Sequence, residues 1–318
     1  MKKKVAKKLK NVQLTNEQTT ENINKKDNKM FIFWTVVLII ILLLVFETII
    51  TIKIQTRMNK KPEIIAQWKA IYKAVICSVV YNNHYISIDE RFNQIQVQDK
   101  MTGEVIGIYE SKGVDPIWAA ESKDGSIYFY TRNSNILYII KDFKKIGELP
   151  LQGITSICGL AINTKDEIIA VDGPSRRVVI YNLNGEKISE LKTAEILKQP
   201  VGRVFCDGKD NLYVVNNQPC EVSMFTRAGQ FLGSIKFSNK EICSLVNVAV
   251  TPDGYIYIND FPGSQVLVYN KKGKLMSKFN TDKLNTFVIT YPATITGGSD
   301  GYIYVGTHHI GVFKPIIY

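Results

Sequence analysis

The 318-residue sequence predicts an all-β ring of six four-stranded blades, a β-propeller, preceded by one membrane-spanning helix and a basic tail. Three observations carry that reading. Short apolar strands, each introduced by a polar turn, recur six times at intervals of 41 to 47 residues. Behind several of them lies a second hairpin with its glycine at a constant offset. A long uncharged apolar run sits near the amino terminus.

In chain order, residues 1–29 come first, with nine lysines against Glu17, Glu21 and Asp27 and no aromatic side chain. Such a segment has no apolar face to bury, so it is expected to be a disordered cytoplasmic tail in loose contact with anionic lipid. It holds more than half of the net charge of +11. The remainder is too weakly basic for a nucleic-acid footprint, and no nucleic-acid partner is expected. Residues 30–52 form the apolar run, which is free of charge from Met30 to Phe46 and interrupted only by Glu47. As a helix it would reach about 34 Å, enough for a hydrocarbon core of about 30 Å. No small-residue cleavage site follows, so the run reads as an uncleaved signal anchor. Lysines before it favour an internal amino terminus, although Lys53, Arg57, Lys60 and Lys61 weaken the bias. The richness in Lys, Ile, Asn and Tyr suggests an AT-rich bacterial genome and hence a plasma membrane with the ring outside. Residues 53–73 are either a linker and stalk or a closing strand, because PEIIAQWKAIYK fits helix and strand equally.

Residues 74–318 contain the repeats. Their strand anchors are Ile86, Tyr128, Ile169, Tyr213, Tyr257 and Tyr304. The hairpins RVVIYNLNGEKISEL, EVSMFTRAGQFLGSI and QVLVYNKKGKLMSKF align without a gap, with turn glycines Gly185, Gly229 and Gly273 spaced by 44 residues. Four short strands per unit, repeated six times, build a ring whose blades bury their faces on one another. From Thr307 only THHIGVFKPIIY remains, room for a third strand but no fourth. Closure by a strand from the other end of the repeat region would remove the exposed edge.

The recurring order is a proline, an apolar strand, a D-G turn, I-Y, an Asp or Asn terminator, R/Q-V and a glycine turn. This resembles the NHL repeat, best from Pro200 to Gly229 and from Pro252 to Gly273, with Pro116 and Pro292 twelve residues before Tyr128 and Tyr304. The resemblance implies a six-bladed ring with ligands at the channel mouth. Proteins similar to NHL propellers include metal-dependent lyases and lactonases with active sites in the channel mouth.

The loops that join second to third strands share a face with that mouth. They place Asp89, Thr131, Asp172, Asn216, Asp260 and Thr307 at equivalent positions, and such periodicity points first to a turn device. Deviations from the repeat say more. Ten residues before the anchors stand Ile76, Trp118, Gly159, Arg203, Asn247 and Thr294, of which Trp118 and Arg203 break the rule of small aliphatics. His308 and His309 break it in the last loop. An arginine there needs an anionic partner, a loop aspartate or a ligand. The candidate binding set is therefore Trp118, Arg203, Asn247, His308 and His309, with Asp172 and Asp260.

No catalytic constellation, metal site or cofactor is expected. Neither C-x-x-C nor H-E-x-x-H spacing occurs, and the five cysteines read as buried thiols. On the inner strands only Glu121, Asn163, Asp207 and Asn247 carry suitable ligand atoms, at heights that do not match. His84 falls in a turn on the opposite face. The expected function is a membrane-anchored, extracytoplasmic binding or scaffold module for an envelope protein, glycan or peptide. The alternative is a lyase or lactonase-like hydrolase working at the channel mouth.

Overall fold

The computed structural model describes residues 30–56, 62–69, 78–81, 83–89, 92–198, 201–217, 220–236, 247–260, 263–282, 294–298, 300–306 and 309–316. The tail expected at residues 1–29 lies outside them. Helix α1 (Met30–Thr56) spans 27 residues, none of them buried, and is long and apolar enough to cross a membrane. It ends four residues beyond Ile52. Its threonine hydroxyls bond back into the helix, Thr35 to the Phe31 carbonyl and Thr48 to that of Leu44, so the polar atoms are satisfied internally.

Twenty-four strands follow among the described residues. The first, β1 (Ile64–Lys69), belongs to the last blade. Blade 1 is β2 (Ser78–Tyr81), β3 (His84–Asp89), β4 (Gln94–Asp99) and β5 (Val105–Glu110). Blade 2 is β6 (Trp118–Glu121), β7 (Ile127–Tyr130), β8 (Ile136–Lys141) and β9 (Lys144–Pro150). Blade 3 is β10 (Ile157–Ile162), β11 (Ile168–Asp172), β12 (Arg177–Tyr181) and β13 (Lys187–Leu191). Blade 4 is β14 (Val201–Cys206), β15 (Leu212–Asn217), β16 (Cys220–Phe225) and β17 (Phe231–Lys236). Blade 5 is β18 (Val248–Val250), β19 (Ile256–Asp260), β20 (Gln265–Tyr269) and β21 (Leu275–Asn280). Blade 6 is β22 (Thr294–Gly297), β23 (Ile303–Gly306) and β24 (His309–Phe313), completed on its outer side by β1.

The chain is a six-bladed β-propeller, and the question left at residues 62–73 is answered for β1. It pairs antiparallel with β24, from Ile64 opposite Phe313 to Lys69 opposite His309. Trp68 locks this closure. Its buried ring meets Tyr304 of blade 6 and Tyr85 of blade 1 edge-on, at 6.4 and 5.6 Å between centroids.

Burial explains the strand composition. Second strands such as β11 are buried at every residue because both faces of each blade are covered by neighbours. Outer strands such as β5 alternate half-buried and exposed residues. The first-to-second turns of the blades, and the third-to-fourth turns of blades 1 to 5, lie on one side of the ring, here the turn face. The second-to-third and blade-to-blade connections form the loop face.

The turn face is stapled from blade to blade. Its first-to-second turns need one residue in the left-handed region, filled by Gly125, Gly254 and Gly301 in blades 2, 5 and 6. Blades 3 and 4 use Asp166 and Asp210 there, at φ 59° and 63°. Those two carboxylates accept bonds from the preceding blade, Asp166 from the Lys123 amide and Asp210 from the Thr164 amide and hydroxyl. The inter-blade bonds offset the strain of a side chain at positive φ.

Candidate ligand-binding channel

The innermost strand of each blade is an end member of its sheet, so one edge of its backbone faces the central channel without a strand partner. How closely those edges approach is set locally. At Gly159 an added Cβ would meet the Val204 amide nitrogen at 2.9 Å and the Gly202 carbonyl at 3.0 Å. Only glycine lets β10 and β14 come this near.

Three of the residues singled out by their departure from the repeat meet at the loop-face end. The pairing of β14 with β15 slips between Val201 and Val204, so Gly202 and Arg203 together oppose one residue. Such a bulge re-aims a side chain. The Arg203 guanidinium lies 4.4 Å from the centroid of the Trp118 ring and donates to Oδ1 of Asn247. Trp118 also meets Phe205 edge-on at 5.8 Å. Trp118 and Asn247 are buried, and Arg203 is half-buried. The sequence asks for an anion at Arg203; an aromatic face and an amide are among its contacts, and both suit a guanidinium.

From Trp118 toward the turn face runs a cavity of about 300 Å³, walled by β6, β10, β14, β18 and β22. Leu160, Val204 and Val248 line its depth, and the exposed Thr164, Gly208 and Pro252 mark its opening. Glu121, the last residue of β6, lines it as well. This glutamate occupies the position that is Ile162, Cys206, Val250 and Gly297 in blades 3 to 6, each paired with the first residue of its second strand. Its side chain has no exposed surface. Oε1 is 2.8 Å from Nδ1 of His84 in the neighbouring blade, whereas Oε2 is buried with no hydrogen-bond partner among the described residues. Desolvation outweighs the histidine contact and pushes the Glu121 carboxyl above the usual range.

Asn163 and Asp207 line the same cavity, but their side chains are bound up in turns. Asn163 Oδ1 accepts the amides of Lys165 and Glu167. Asp207 takes the amides of Lys209 and Asn211 on one oxygen, and the Asn211 side chain and Tyr213 hydroxyl on the other. Among the described residues no group of three or more His, Cys, Asp or Glu side chains is placed to hold a metal. The thiols of Cys158 and Cys206 are free, and burial pushes that of Cys158 up to about 12 and that of Cys206 still higher.

On the loop face the aspartates are engaged within their own loops. Asp172 is fully buried and accepts from the Thr155 and Ser156 amides and from Arg177, which also reaches Glu190 and the Gly153 carbonyl. Asp260 accepts from the Gly263 amide and the Gln265 side chain. His309 opens β24 opposite Lys69 and is half-buried. It stands apart from the Trp118 cluster in these pairings, and His308 lies outside the described residues.

With this geometry in view, the comparisons with known proteins are informative about the fold. The chain resembles streptogramin B lyase in structure. That likeness has a TM-score of 0.56 at 13% identity and covers 78% of this chain and 96% of the other. Virginiamycin B lyase from Staphylococcus aureus matches with a TM-score of 0.56 at 13% identity, over 81% of this chain and 90% of that one. A protein of unknown function from Bacteroides caccae matches at 0.55 and 18%, over 70% and 82%. No family model and no curated protein sequence matches. At these identities the likeness establishes a shared propeller architecture, not a shared activity.

The Glu121–His84 pair is the feature that sequence reasoning passed over. Its signal was present, since Glu121 interrupts an otherwise apolar or glycine column just as Trp118 and Arg203 interrupt theirs. His84 is 37 residues away and gains its meaning only when blades 1 and 2 are side by side.

Proposed function

We propose that this chain is a membrane-anchored, extracytoplasmic propeller that binds a small molecule in its central channel. The observation that carries the reading is the cavity itself: about 300 Å³, open at the turn face, floored by Trp118 and walled mainly by apolar residues, with Asn163, Asp207 and Thr296 among them. Small-molecule sites have this constitution, a largely apolar concavity with few placed polar groups. Arg203 and Asn247 serve it by fixing the Trp118 ring. Helix α1 is the anchor, and the nine lysines before it support an internal amino terminus. The loop face, where His309 is half-buried, is left as the surface for an envelope protein, glycan or peptide.

The test is a thermal-shift screen of the full-length protein in detergent against amino acids, amines, sugars and short peptides, repeated on Gly208→Trp. Residue 208 has open space where a Cβ would go, so the substitution obstructs the opening without crowding the fold. A compound that binds the native state raises the melting temperature by mass action. Stabilisers that lose their effect in Gly208→Trp support the channel. Stabilisers indifferent to it would move the site elsewhere.

A second reading, a lyase, has the solved structures' names in its favour. One of those structures is a catalytically inactive virginiamycin B lyase with quinupristin. Chromatography of quinupristin after incubation with the protein decides it, a new product favouring the lyase.

A further inference from the structure

We propose that the channel selects a small uncharged aromatic molecule, about two fused rings in size, over organic ions of the same shape. This rests on the channel-binding reading above and names its ligand class. Two independent observations carry it. The first is that the ionisable and amide side chains of the lining are already committed within the fold. Glu121 has no exposed side-chain surface and is turned to His84 of the neighbouring blade. Asp207 has both oxygens occupied in its own turn, Asn163 accepts two amides of its turn and donates to Glu167, and the Thr164 hydroxyl donates to Asp210. Burial pushes the Cys206 thiol up, so it stays protonated, and Trp118 and Thr296 carry no charge. An ammonium or carboxylate entering here would shed its hydration and find no unoccupied counter-charge in return. An uncharged ligand forfeits far less.

The second observation is the surface and size of what remains. Inner strands are covered by neighbouring blades on both faces, so the exposure they keep opens to the channel. The half-buried residues along this cavity include Ala161, Ile162, Phe205 and Val250. One end is closed by aromatic rings. Trp118 of blade 2 meets Phe205 edge-on and takes the Arg203 guanidinium, both from blade 4, so it lies across the channel in front of blade 3. Water against such a wall has few partners, and an apolar body displaces it readily. The half-buried Phe205 ring adds the edge and face contacts that aromatic groups favour. Volume then sets the size. A dry apolar cavity of about 150 Å³ accepts benzene. The channel, at about 300 Å³, has room for a two-ring molecule.

The experiment uses three probes of one two-ring shape and different charge: indole-3-ethanol, protonated tryptamine and indole-3-acetate. Each is titrated by calorimetry at neutral pH into the full-length protein in detergent micelles, against matched empty micelles. Indole-3-ethanol is expected to bind at least about tenfold more tightly than either ion. Gly208→Trp, which fills open space at the mouth, should abolish that binding without changing the circular dichroism. Ile162→Glu should reverse the order in favour of tryptamine. It occupies the column position where blade 2 already carries Glu121, but the position of His84 is held by Ile127 in the blade beside it, so the new carboxylate has no such partner. A gain of tryptamine binding cannot come from misfolding. Equal binding of the three probes, a wild-type preference for either ion, or no binding by any probe overturns the uncharged class. So does indole-3-ethanol binding that survives Gly208→Trp, or an Ile162→Glu protein with native circular dichroism that keeps the wild-type order. An ion that wins in wild type and is lost in Gly208→Trp leaves the channel reading standing, which the broader screen decides separately.

Discussion

The two ends of the central channel are made by the same inner strands, but they treat polar side chains in opposite ways. At the loop-face end the residues that break the repeat compensate one another: Arg203 stacks on Trp118 and donates to Asn247. At the turn-face end Glu121 breaks the repeat and keeps one carboxylate oxygen without a partner among the described residues. The first arrangement is closed, and its worth is structural. The second leaves one polar atom unsatisfied, and such an atom is costly to the fold wherever it is buried. Departure from a repeat therefore marks an unusual position, while the partner set decides whether that position is compensated.

Truncating the strut is the sharpest way to break this comparison. Trp118→Ala removes a buried aromatic ring, its contact with Phe205 and the surface on which Arg203 rests. A loss of about 3–5 kcal/mol in stability is expected from urea denaturation, the usual cost of such a deletion. Arg203→Ala should cost less, about 1–2 kcal/mol, since it forfeits the cation–π contact with Trp118 and the hydrogen bond to the buried Asn247 amide and removes no buried ring. If Arg203→Ala melts like wild type but weakens ligand binding severalfold, the loop-face end is no strut and the two ends do not differ as described.

Much of this was legible in the sequence. The interval between strand anchors fixes the blade count because each blade must pair its own four strands before it can pack on the next. Closure was legible as a deficit, the last blade being one strand short, although the alternation in PEIIAQWKAIYK could not by itself distinguish strand from helix. Trp118, Arg203 and Asn247 stood out by position, and the structure brings them together. Their contacts were not legible, because a bulge at Val201 to Val204 turns Arg203 in a way no periodic alignment anticipates. The Glu121–His84 pair was hidden for a related reason: inter-blade contacts join residues that repeat logic treats as unrelated columns.

The smallest expected effect contrasts two glutamates by their pH dependence. Glu121 is held above its ordinary value, first by desolvation, whereas Glu167 is held below it, first by the Arg227 guanidinium that clasps its carboxylate. A carboxyl raised in the folded state contributes stability that is fully present below its unfolded value of 4.5 and is lost as pH rises through the folded value. A depressed one contributes stability present above 4.5 and lost as pH falls through its folded value. Between neutral pH and about 4.5, wild type should accordingly gain stability relative to Glu121→Gln. Its advantage over Glu167→Gln should hold through that window and shrink only at more acid pH. Each unit of difference between folded and unfolded values is worth about 1.4 kcal/mol, which thermal melts across the pH series resolve. Parallel curves for the two variants would mean that Glu121 is as well satisfied as Glu167, and the turn-face end would then be as closed as the loop-face end.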